Sequence, residues 1–251
     1  MLPELVLREE EERNHLLIVL LGLFSGLAGF GAAKIFFPGQ TSVLSVVFAS
    51  IPLVYPLTSV FLEDEKNGRR PHEEEVEFYG ALFLGEFLAF LGLALVSTES
   101  FYMQASVFSD QAASLGLTGN AVSPDTLYMV LSNNLLLFFS ILAVSAVIGS
   151  AGAFILTWNA SVLGVFIAKL LSELGTIYHV LTGSGQTPSP IAYVPHATLE
   201  MSGFIVAGIT GSLVSAAVYR EHFNKDTWKD LAKMVITGVL LIVLGALLES
   251  L

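Results

Sequence analysis

Apolar residues run along this chain in seven stretches, each about as long as a helix needs to cross a bilayer, roughly 20 residues. They read at 16–36, 42–62, 78–97, 129–157, 161–181, 197–219 and 229–249. Together they predict an all-α, polytopic integral membrane helical bundle, a single membrane domain over 1–251. Only Trp158-Asn159-Ala160 separates the fourth stretch from the fifth, which predicts a tight hairpin or a broken, partly re-entrant pair. The segment 98–128 is too long for a simple turn. Phe101, Ala105 and Phe108 recur there at helical spacing beside Tyr102 and Met103, the pattern of a short helix lying on the interface, with an ordinary loop as the alternative. Small residues at spacing four (Gly22 and Gly26; Ser145, Gly149 and Ala153; Ala207, Gly211 and Ser215) let helix backbones approach closely.

Composition agrees with the pattern. The chain of 251 residues is 54% hydrophobic and 13% charged, against about 25% charged in a soluble domain. There is no cysteine, which excludes disulfides, thiolate catalysis and Cys-based metal sites. A net charge of -11 supplies no basic face for nucleic acid, and the acidic runs Glu9–Glu12 and 63–77 read as solvated segments. The acidic start and the long first apolar stretch point to a retained helix rather than a cleaved signal, despite Gly31-Ala32-Ala33. Arg8 and Arg13, then Lys66, Arg69 and Arg70, then Arg220, Lys225, Lys229 and Lys233 all fall on one side of seven spans. That asymmetry predicts a cytoplasmic N-terminus and an outer C-terminus, in a multi-pass protein of the cell membrane.

Ionisable groups inside a membrane are costly and mark function or a specific partner. Counted from span starts on the same side, Glu86 and Lys169 lie at matched depth, which predicts a buried ion pair that fixes helix register, with a proton or ion relay as the alternative. A second polar set gathers toward the other side. His196 and Glu200 share one face at i and i+4, Asn133 and Asn134 lie early in the fourth span, and Glu173 and His179 lie near the end of the fifth. These meet if the fourth, fifth and sixth helices are neighbours, as short connections favour. Three readings stand: a hydrogen-bonded network that locks the helices, a metal site of His179, His196 and Glu200, or a proton- or ion-binding site on a transport path. In the turn Trp158-Asn159-Ala160-Ser161, Asn159 or Ser161 caps the helix that follows, without any chemistry.

The run Val194-Pro195-His196-Ala197-Thr198-Leu199-Glu200, followed by Ala207-Gly208 and Gly211, resembles the signature of the stage II sporulation protein M (SpoIIM) family. In that family the run usually reads Pro-His-Gly, two residues, then Glu. Asn133-Asn134, Gly149 and Trp158-Asn159-Ala160 with Gly164 resemble the family's paired-Asn helix and Asn-Gly turn, so that the likeness covers about 75–220. Ala197 and Ala160 stand where the family often has Gly. The acidic stretch Glu73–Glu77 before Phe78-Tyr79-Gly80 resembles the archaeal branch. The resemblance implies an all-helical membrane bundle with His196, Glu200, Asn133, Asn134 and Asn159 as marked positions. Bacterial members anchor cell-wall hydrolases at the septal membrane during engulfment, a role that does not carry over to an organism without spores or murein.

No Gly-x-Ser-x-Gly or His-Glu-x-x-His is present, which argues against a hydrolase. The expectation is therefore a non-enzymatic membrane scaffold or membrane-organising protein without a cofactor. It would be a homo-oligomer (a dimer) in the lipid bilayer, with membrane or extracytoplasmic protein partners. A transporter or channel using the His196/Glu200 site is the alternative, and a metal-dependent intramembrane enzyme the third reading.

Overall fold

The computed structural model describes residues 14–66, 72–107, 124–149, 151–172, 194–219 and 225–249. Seven long helices carry the fold: α1 (His15–Phe36), α2 (Thr41–Lys66), α3 (His72–Val96), α4 (Pro124–Val147), α5 (Ala151–Ser172), α6 (Val194–Tyr219) and α7 (Lys225–Glu249). Each contains a window long and apolar enough to cross a membrane. Asn14 starts α1 as an N-cap, its side chain accepting from the Leu16 amide at 3.0 Å. All the elements among the described residues are helical, so the chain is an all-α integral membrane bundle.

The helices pack as two groups. In the first, α1 lies on α2 and α3, and α3 lies on α5; in the second, α6 lies between α4 and α7. A shared core joins them, with Ile18 of α1, Leu53 of α2, Leu82 of α3, Leu156 of α5 and Ile209 of α6 all buried together. The α1–α3 crossing is close because it is made of backbone. A Cβ placed on Gly85 would fall 2.7 Å from the Leu23 nitrogen and 3.0 Å from Gly22 Cα, so only glycine fits there.

Two sequence expectations are corrected, and a third is filled in. The first is the helix break, which lies at Ile148-Gly149, not at Trp158-Asn159-Ala160; residues 158–160 sit in the middle of the continuous helix α5. Asn159 is compatible with helix because its Nδ2 donates to the Ile155 carbonyl one turn back at 2.8 Å, satisfying the polar group inside the helix. The true turn is tied to α6, where Ser212 Oγ lies 2.8 Å from the Gly149 carbonyl oxygen and 3.0 Å from that of Gly208.

The second correction follows from the first. With α5 starting at Ala151, Lys169 lies in its last turn and is exposed, far from the depth that pairing with Glu86 required. Glu86 is fully buried and its Oε1 instead accepts from Thr157 Oγ1 of α5 at 2.8 Å, while Oε2 has no hydrogen-bond partner among the described residues.

The third concerns the segment after α3. As far as residue 107 it is helical, a 3-10 turn at Thr98–Phe101 and a helical stretch over 102–107, and one face of it tucks into the bundle while Tyr102 and Met103 stay exposed. Phe101 is fully buried, stacked on Phe30 at 5.4 Å and edge-on to Phe90 at 5.9 Å. Gln104, equally buried, donates Nε2 to the Ser42 carbonyl at 2.9 Å and accepts from Ser42 Oγ, so polar bonds to α2 hold the segment inside. Phe108 lies outside the described residues.

Candidate functional site

Although only a short turn joins them, α4 and α5 scarcely touch. The reason lies at the turn, where α6 takes the place of a direct contact: a Cβ on Gly149 would lie 3.0 Å from Ser215 Oγ, and one on Gly152 2.7 Å from Ser212 Oγ. From there α4 follows α6, whereas α5 follows α3. The two diverge and leave a side-opening cleft of about 530 Å³ backed by α6. That is the size range of small-ligand pockets, which are mostly apolar with a few convergent polar groups. Apolar walls come from Leu137 and Ile141 on α4, Phe154, Ile155 and Trp158 on α5, and Phe204 on α6. The Phe154 and Trp158 rings stack, with centroids 6.5 Å apart.

Among the described residues four polar side chains line the cleft: Asn133, Asn134, Asn159 and Glu200. Asn134 and Glu200 are both buried, and Asn134 Nδ2 donates to Glu200 Oε1 at 2.7 Å, which ties α4 to α6. Asn133, its sequence neighbour, is exposed. Asn159 lies deeper: it is eight residues from the start of α5, whereas Asn134 is thirteen from the end of α4. At 1.5 Å per residue that places it about 7 Å nearer the Gly149 turn.

Glu200 is set from behind by α7. A Cβ on Gly245 would fall 2.6 Å from Glu200 Cγ and 3.2 Å from the His196 carbonyl oxygen. Valine at Gly245 is therefore expected to push Glu200 away from Asn134 and cost about 1–3 kcal/mol, as overpacking does. Thermal unfolding of the purified variant checks this, and an unchanged midpoint would show that α7 does not press on Glu200.

The remaining sequence candidates divide. His196 is buried one turn before Glu200, two residues ahead of the apolar window Thr198–Val218, and desolvation lowers its pKa from the ordinary value. Trp158 and Asn159 line the cleft, but Ser161 faces a different cluster, donating to the Trp158 carbonyl at 2.8 Å and accepting a long bond from Gln104 at 3.4 Å. Glu173 and His179 lie outside the described residues. Among the described residues no three His, Cys, Asp or Glu side chains converge, and His179 is one of the three ligands of the metal reading.

Residues 80–251 match the family model described as Stage II sporulation protein M. The chain belongs to the stage II sporulation protein M (SpoIIM) family. The family match begins inside α3 and takes in all of α4 to α7, and with them the four polar residues of the cleft and the Gly245 contact. Helices α1 and α2, which cover Glu86 and Gln104, precede it. Neither the comparison with curated proteins nor that with solved structures finds a match.

Sequence reasoning missed Thr157, Gln104 and Gly245. Thr157 and Gln104 are single polar residues in apolar or loop context, which a linear pattern cannot pair with a distant helix. Gly245 does carry a signal in the sequence: a lone glycine in an apolar stretch often marks close backbone approach.

Proposed function

We propose that this multi-pass membrane protein is a non-enzymatic scaffold of the cell membrane that organises membrane or extracytoplasmic protein partners. The observation that carries the reading is the 2.7 Å bond from Asn134 to Glu200. Polar groups of the family-like motifs are held by the bundle: Asn134 donates to Glu200 on the neighbouring helix, Asn159 donates within its own helix, and the Gly149 carbonyl accepts from Ser212 of α6. Such bonds hold a rigid shape, which is what a docking platform needs.

A second reading, a transporter or channel, draws support from the cleft beside Glu200. One pair of variants separates the two. The oxygen of a carboxamide still accepts from Asn134, so Glu200→Gln is expected to keep native assemblies intact on blue-native gels of solubilised membranes. Leucine at Gly211, where a Cβ would meet Ser145 Cβ at 2.6 Å and the Ala146 nitrogen at 2.9 Å, is expected to abolish them. Ion flux into proteoliposomes that Glu200→Gln removes while assembly persists would replace the scaffold by the transporter.

A further inference from the structure

We propose that the cleft between α4 and α5 binds one lipid molecule, whose head carries hydrogen-bond donors and no net negative charge. Its chain lies against Ile141, Phe154 and Trp158, and its head lies at Asn133 beside the Asn134–Glu200 pair. This goes beyond the scaffold reading and does not depend on it.

The first ground is the kind of wall. Helices that dock in a membrane meet through small residues, which let backbones close up. In this protein several of those residues are spent inside the bundle: Gly85 on α1, Gly164 on α3, Gly211 on α4 and Gly245 on α6. Among the described residues no glycine, alanine or serine lines the cleft; its apolar walls are Leu, Ile, Phe, Trp, Val and Met. A partner helix finds no flat path there, whereas a flexible chain fills the space between bulky side chains.

The second ground is where the polar groups sit. Glu200 lies two residues inside the apolar window that starts at Thr198, about 3 Å at the helical rise. On α4, Asn133 lies six residues inside the window that starts at Leu127, about 9 Å, so the polar groups of the cleft span the region where a lipid head meets its chain. Asn133 is exposed at the same end of the cleft and makes its amide available to a head group.

The third ground is charge. Among the described residues that line the cleft, Glu200 is the one ionisable group. An anionic head beside it is disfavoured, while an ammonium or hydroxyl donor is favoured.

The chain has two tryptophans, Trp158 in the cleft and Trp228 at the start of α7. In full-length protein carrying Trp228→Phe, fluorescence therefore reports on the cleft alone. The protein is reconstituted into phosphatidylcholine vesicles with rising fractions of chain-brominated lipid bearing an ethanolamine, choline or glycerol head. Quenching by the ethanolamine lipid is expected to saturate, with a midpoint severalfold lower than for the other two. Glu200→Gln is expected to narrow the gap to the anionic glycerol lipid, and Asn133→Leu, at an exposed position, to remove the head-group preference.

Quenching that rises in proportion to lipid fraction with one slope for all three heads would mean ordinary boundary lipid and overturn the proposal. So would an unquenched Trp158. A photocrosslinker at Val162 that captures a polypeptide instead of lipid would assign the cleft to a protein segment and overturn it as well.

Discussion

Leucine in place of Gly85 is expected to abolish the folded bundle, whereas leucine in place of Gly80, on the same helix, is expected to leave it intact. Both changes gain helix propensity, about 1 kcal/mol in a helix interior, so local structure favours each equally. The difference is what the new side chain meets. A Cβ at Gly80 has nothing within 4 Å. At Gly85 it would fall 2.7 Å from the Leu23 nitrogen and 3.0 Å from Gly22 Cα, both atoms of the α1 backbone. A side chain can turn aside; a backbone in a packed helix cannot. The cost therefore exceeds the 1–3 kcal/mol or so of ordinary overpacking, because α1 and α3 must separate along their length and expose Glu86, which that crossing helps to bury. With a total stability of about 5–15 kcal/mol, little remains. The check is the monodisperse yield on size exclusion and the thermal midpoint of both variants. Equal midpoints would mean that the α1–α3 crossing does not run through Gly85.

The seven spans were legible because bilayer thickness sets the length of an apolar run, and that constraint is visible in one dimension. Spans read at 16–36 and 229–249 became His15–Phe36 and Lys225–Glu249. The fourth and fifth went wrong for a physical reason. Asn159 reads as a turn residue, but a helix satisfies it internally through Ile155. Gly149 reads as part of a packing face with Ser145 and Ala153, yet it forms the turn, and Ser212 binds its carbonyl. That ten-residue shift then displaced Lys169 from the middle of its helix to the last turn and dissolved the pair with Glu86.

Of the candidate site, the composition was legible and the shape was not. Asn133, Asn134, Asn159 and Glu200 stand out as polar residues in apolar stretches, and all four line one cleft. The cleft itself exists because α4 follows α6 and α5 follows α3, a choice made by glycine contacts on opposite sides of the turn. Linear spacing cannot express that divergence, since a short turn argues for the opposite, two helices side by side.

Removing either member of the Asn134–Glu200 pair is expected to destabilise the bundle, and removing both is expected to cost less than the two single changes added together. Both side chains are buried, so Asn134→Leu leaves Glu200 Oε1 without this donor, and Glu200→Leu strands the amide of Asn134. Leaving a buried polar group unsatisfied costs about 1–3 kcal/mol, whereas replacing both partners by apolar groups is nearly neutral. The double variant removes the stranded group along with the bond. Glu200 has a further polar interaction besides that with Asn134, so Glu200→Leu is expected to be the costlier single change. The coupling energy should lie near the upper end of values measured between membrane helices, which average about 0.6 and reach about 1.7 kcal/mol, because a carboxylate acceptor strengthens the bond. Reversible unfolding of the four proteins in mixed detergent micelles gives the cycle directly. Additive effects would show that Asn134 and Glu200 act separately. A positive coupling would make the pair the clasp between α4 and α6, with Asn134→Leu loosening the peripheral helix α4, of whose apolar window only 17% is buried, before any other.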